Sequence, residues 1–305
     1  MTLRRIAVRA GFAACVSLAC VAAPIVAAAN TAGDLYYERT VMSVADARCR
    51  LFTPEISSAL AAARAQARAA ALRSGADQAS IQTLADRAKA RAQSTACGSA
   101  DLATAAGRVR SAFDGYSRIP RMSFPGDQAA WRADRTYAVD GPTWKLAQTG
   151  RIGPQQFTFG LAGRRGEAPR LMVVTAFGDA PAPYSARLLV RDQARAPEAY
   201  LNALQVSATA RLPLSARTPP RNAMRAYAAE ARNDAEPRLL AAGQDSATAF
   251  RFPAAAADAI AGLDPRESIA VEFVFMGRSG DIVRTAYVEV GDFAAGQAFL
   301  TVAQR

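Results

Sequence analysis

The chain has 305 residues, half of them apolar and about a fifth charged, so it can bury a sizeable core and disorder is not its default state. Its formal charge is +11, carried almost wholly by arginine, because Lys89 and Lys145 are its two lysines. It contains no histidine, which excludes Ser-His-Asp triads, Cys-His pairs and histidine-bound metals.

Met1 to about Ala29 has the layout of a bacterial secretory signal peptide. Arg4, Arg5 and Arg9 form a basic start, Gly11–Ala23 is an apolar core, and Val26-Ala27-Ala28-Ala29 supplies the small residues that precede cleavage. Cys20 offers a competing lipoprotein reading, but Ser17 stands where such signals carry leucine. Cleavage after Ala29 leaves 276 residues and removes three arginines, so the exported chain carries +8. The apolar core is shorter than the roughly 20 residues a membrane span needs, and the chain is expected to be periplasmic and not membrane-spanning. Arginines interspersed with acids (Arg64, Asp77, Asp86, Arg87) predict a solvated basic surface without a nucleic-acid partner.

Residues 30–119 are predicted to be helical. A short helix over Val44–Leu51 comes first. Thr53-Pro54 then opens a helix that carries Ile56, Leu60, Ala63 and Ala67 at helical spacing up to Gly75. Asp77 starts the next, with Ile81, Leu84, Ala85, Ala88 and Ala92 on one face; Ser99 starts a third, with Leu102, Ala106, Val109, Phe113 and Tyr116, ended by Pro120. Two antiparallel helices of nearly equal length bring Cys49 and Cys97 to the same end, within the roughly 5.5 Å Cα separation of a disulfide. An exported chain lacking further ligands gives these cysteines a structural bridge, not a redox or zinc role. The alanine-rich faces bury little area each, and the bridge compensates for that thin core.

Residues 120–143 read as a connector and 144–305 as an antiparallel β-sandwich. Its predicted strands include Phe157–Leu161, Leu171–Phe177 and Ala186–Val190. Pro253 opens a short helix over Ala254–Ala261. Ser268–Met276 and Ile282–Val290 flank the turn Gly277–Asp281, and Asp292 caps a final helix carrying Phe293, Phe299 and Leu300. The fold class is therefore α+β: a disulfide-stapled helical hairpin or three-helix region, then a sandwich with a C-terminal helix.

Phe250-Arg-Phe-Pro253, Leu263, the closing hairpin and Val288-Glu-Val-Gly-Asp-Phe-Ala-Ala-Gly-Gln-Ala-Phe299 resemble the end of the invasion-associated locus B family, exported proteobacterial β-sandwich proteins. The resemblance covers at most residues 144–305 and is firmest over the last 60 or so. This segment departs from it in having no cysteines, which that family usually carries within the sandwich. The resemblance implies an envelope protein with a binding or structural role and brings no catalytic residues.

Motifs for chemistry are scarce. Asp86 and Pro142 precede the two lysines by three residues, so no Ser-x-x-Lys is present, and no Walker loop, Gly-x-Ser-x-Gly elbow or EF-hand loop occurs. Gly160-Leu-Ala-Gly163-Arg-Arg-Gly166 has the wrong spacing for a dinucleotide site. Asp127, Asp134, Asp140, Asp179 and Asp192 lie in or near predicted turns, where two carboxylates could run glycosidic chemistry, though no spacing selects a pair. Trp131, Arg132 and Arg135, with Trp144 close by, could stack and clamp a saccharide or peptide; alternatively the tryptophans join the helical region to the sandwich. The resulting expectation is an exported, non-enzymatic cell-envelope binding or interaction module. Its partner would be an envelope protein or glycan, and it needs no cofactor or metal. A histidine-free periplasmic carbohydrate-active enzyme using two carboxylates is the alternative, and an arginine surface for anionic lipid or lipopolysaccharide a third idea.

Overall fold

A computed structural model of the chain describes residues 23–201 and 211–302. The basic start of the predicted leader and its apolar core up to residue 22, with Cys20, lie outside the described residues. Four helices come first: α1 (Ala23–Cys49), α2 (Pro54–Arg73), α3 (Gln78–Ser94) and α4 (Ala100–Tyr116). The starts of α2 to α4 follow local chemistry. Pro54 fixes the first turn of α2, the Asp77 carboxylate accepts the Ser80 N–H at 2.6 Å, and the Ser99 hydroxyl accepts the Leu102 N–H at 3.4 Å.

The expected short helix over Val44–Leu51 is corrected to the 27-residue α1, which stops at Cys49. Pro24 sits in its first turn, where a missing N–H is harmless, and no later proline interrupts it. This helix organises the layer, packing along both α2 and α3 while those two touch each other little. Cys49 and Cys97 are joined with their Cα atoms 5.6 Å apart, so the disulfide ties the end of α1 to the turn after α3. The helical core is divided into small groups. One gathers Tyr36, Leu72 and Ile81 among alanines; another gathers Met42, Leu60 and Leu102.

The remainder forms two antiparallel sheets. Strands β1 (Arg121–Phe124), β2 (Trp131–Asp134), β3 (Thr143–Ile152), β4 (Gln155–Gly163), β5 (Arg170–Thr175), β8 (Ala231–Asp234) and β9 (Thr248–Arg251) make a seven-stranded sheet in the order β1-β2-β3-β4-β5-β9-β8. Strands β6 (Ser185–Arg191), β7 (Met224–Ala228), β10 (Ser268–Gly277) and β11 (Gly280–Glu289) make the other, in the order β11-β10-β6-β7. Among the described residues, helices α5 (Ala254–Ala261) and α6 (Phe293–Leu300) follow. The segment read as a connector therefore supplies two strands of the larger sheet.

The closing hairpin pairs Ile269 with Val288, Val271 with Ala286 and Phe273 with Arg284, as its alternation requires. Val271, Phe273 and Val288 meet Leu146, Phe159, Val173 and Phe250 of the larger sheet, and Ile260, Phe293 and Phe299 close the ends. The two sheets thus share one core, far larger than any group in the helical layer.

Helix α2 lies along α6, and charges fix the contact. Asp292 occupies the expected cap position of α6, but its carboxylate makes no cap bond and pairs with Arg73 of α2 instead. Close by, the Gln78 amide donates to Asp264 at 3.0 Å. Burial pushes the Asp264 carboxyl up, yet hydrogen bonds and the charge of Arg266 outweigh that and hold it below the ordinary carboxylate range.

Candidate functional site

Strand β2 separates the four residues expected to form a surface. Successive side chains point to opposite faces of a sheet, so Trp131, Ala133 and Arg135 face one way and Arg132 and Asp134 the other. Trp131 is fully buried: its indole N–H donates to the Val290 carbonyl at 2.8 Å, and its ring stacks edge-on with Phe293 at 4.9 Å. Arg135 is buried as well. Its guanidinium lies 3.5 Å from the Phe299 ring centroid and donates to the carbonyls of Phe299, Tyr116 and Ile119 at 3.0, 3.1 and 3.1 Å. One cation so satisfies carbonyls at the C-terminal ends of α4 and α6, where helix dipoles favour positive charge. Trp131 and Arg135 are therefore core and joint residues, a correction to their placement on a binding surface. Trp131 packs β2 on α6, and Arg135 joins the helical layer to the sandwich.

Arg132 and Trp144 do come together. Both line an open groove of about 740 Å³ on the outer face of the seven-stranded sheet, over β1 to β4. Its floor and walls include Arg121, Asp134, Thr149, Gln156 and Thr158, with Gln128–Ala130 at one border and Leu240–Ala241 at the other. The groove exists because the outer face is only partly covered. Leu239 closes over Ala162, Val174 and Ala249 to form a small apolar group, and Trp144 stands at its rim with its indole N–H donating to the Leu239 carbonyl at 3.2 Å.

A β-bulge aims Trp144 outward. Trp144 pairs with Ala162 and Leu146 with Leu161, so Lys145 is an extra residue in β3. In a regular strand Trp144 and Leu146, two residues apart, would share a face; the bulge lets Leu146 enter the core while Trp144 reaches the groove. Lys145 turns away, fully buried, its ammonium over the Tyr137 ring at 3.8 Å and donating to the Thr136 carbonyl. Burial lowers its pKa. One pair beyond the bulge, opposite Ala147, the chain needs Gly160, because a Cβ there would stand 1.9 Å from the Leu146 carbonyl oxygen. Gly160→Ala is expected to destabilise the protein by about 2–3 kcal/mol in urea unfolding and to shift Trp144 fluorescence in the native state. An unchanged midpoint would show that the bulge yields freely.

Electrostatically the groove is positive with one carboxylate. Arg132 is exposed and has no acid partner among the described residues. Arg121 pairs with Asp134 at 2.7 Å. Burial raises the Asp134 pKa, but hydrogen bonds from Thr136 and Arg121 prevail and hold it below the ordinary value. The other four aspartates considered for acid–base work do not line the groove, and each is paired with arginine: Asp127 with Arg217, which also pairs with Glu289, Asp140 with Arg238, Asp179 with Arg284, and Asp192 with Arg195 and Arg225.

Thr149, Gln156, Thr158 and Arg121 were missed as groove residues. Thr149 pairs directly with Thr158, so period-two alternation could have placed them on one face. No group of three or more potential metal ligands occurs among the described residues, and no helix among them is long and apolar enough to cross a membrane. Comparisons with family models, with curated proteins and with solved structures find no match.

Proposed function

We propose that this chain is an exported, non-enzymatic binding protein of the bacterial cell envelope, and that the outer groove of its larger sheet holds the ligand. The observation that carries the reading is the make-up of the groove. It offers a half-buried indole, a guanidinium with no acid partner among the described residues and a row of hydroxyl and amide side chains, which is a surface for holding a polar chain. Hydrolysis of a glycosidic bond calls for two facing carboxyl groups, one with a raised pKa. The groove lining supplies only Asp134, whose pKa is held below the ordinary carboxylate value by hydrogen bonds from Thr136 and Arg121. The leader-like start of the sequence and its resemblance to the invasion-associated locus B family support placement in the envelope.

The test is site-specific photo-cross-linking in intact cells, with p-benzoylphenylalanine at Ala147 in the groove floor and, separately, at Val283 on the other sheet. The envelope fraction should hold the protein, and Ala147 should give a discrete adduct that Arg132→Glu and Trp144→Ala abolish. Adducts from Val283 but none from Ala147 would contradict the groove assignment.

A further inference from the structure

Strand β1 is a margin of the seven-stranded sheet, and among the described residues the backbone of Arg121–Phe124 bonds only to β2. Its outward N–H and C=O groups are a template for one more strand. This edge has a cavity on each face. The outer face opens into the groove, beside Arg121 and Ser123. The inner face opens into a second cavity of about 310 Å³ between α2, α4 and β1, with mainly apolar walls from residues such as Ile56, Leu60, Phe113 and Phe124. Gln66 also lines it, as does Arg39 of α1, which donates to the Ala63 carbonyl. Met122 borders both.

The pleat then dictates what an added strand presents. Residues opposite Arg121 and Ser123 would enter the groove, and those opposite Met122 and Phe124 would enter the apolar cavity. The groove side carries Arg132 without an acid partner among the described residues and Arg121 shared with Asp134, so it favours negative side chains. The inner side favours large apolar ones.

We propose that β1 captures an extended segment of another protein by strand addition, with acidic residues facing the groove and large apolar residues filling the inner cavity in alternation. The proposal rests on the groove being the binding surface, and it adds the class of partner.

The test is selection of phage-displayed random decapeptides against the exported chain, followed by hydrogen–deuterium exchange with the enriched peptide. The enriched sequences should alternate acidic and large apolar residues, and the peptide should protect the amides of residues 121–124. Its affinity should fall at least about tenfold when its backbone is N-methylated at alternate positions, and likewise on Ala112→Trp, at an exposed residue on the rim of the inner cavity. Enriched peptides without alternation, or bound without protecting β1, overturn strand addition. If such peptides still require Trp144, the groove stands and only the strand mode fails; if they require neither, both readings fail.

Discussion

Replacing Glu289 by alanine is expected to lower the unfolding free energy by about 3–5 kcal/mol, because it leaves buried N–H groups of a turn without an acceptor and removes one of the two carboxylates that compensate a buried arginine. The carboxylate, at 0 % exposure, accepts the N–H groups of Asp127, Gln128 and Ala129 at 2.7, 2.8 and 2.9 Å and pairs with Arg217 at 3.2 Å. Arg217 is equally buried and also reaches Asp127 at 3.1 Å. Gln148 clamps the backbone of Glu289 from the larger sheet, so this single residue joins both sheets and the 126–129 turn. Glu289→Gln keeps the shape and an acceptor for the turn but loses the ion pair, and should cost clearly less in urea unfolding. Equal losses for the two variants would show that hydrogen-bond acceptance by the turn is not what matters. Because Gln128–Ala130 border the groove, the alanine variant should also weaken ligand capture.

Breaking the disulfide should have an effect of similar size. Cys49→Ala releases a bridge between residues 48 positions apart, worth about 4 kcal/mol on the chain-entropy account. The helical layer has little to replace it with, since its apolar groups are small and rich in alanine. Thermal unfolding should therefore lose helical signal first, at a lower temperature, while the sandwich core melts later. Wild-type protein treated with reductant should behave in the same way as the variant. Coincident melting of oxidised and reduced protein would show that the bridge adds nothing to stability.

The parts of this fold legible from sequence are those set by local chemistry. Thr53-Pro54, Asp77 and Ser99 mark helix starts through caps and a fixed φ, and the alternation from Ile269 to Phe275 fixes the face of the closing hairpin. Helix α1 was underestimated because its alanine-rich start has no amphipathic period and resembles the small-residue end of a leader. Strands β1 and β2 have four residues each, too few for a period to stand out among prolines and a glycine. That omission carried through to the site: once Trp131–Asp134 is a strand, Trp131 and Arg135 must part from Arg132. The outward turn of Trp144 depends on a bulge opposite Ala162 and Leu161, a pairing between strands with no local signature. Burial of Glu289 is of the same kind, created by segments distant in sequence.

The two tryptophans allow the account to be tested directly by ¹⁹F NMR of protein labelled with 5-fluorotryptophan. Trp131 lies in the core at 0 % exposure and Trp144 at the rim of the groove, so two resonances are expected. On titration with solubilised envelope fractions, the Trp144 resonance should shift saturably while that of Trp131 stays in place, and Arg132→Glu should suppress the shift. A saturable ligand that leaves Trp144 unmoved would contradict the claim that the outer groove is where this protein binds.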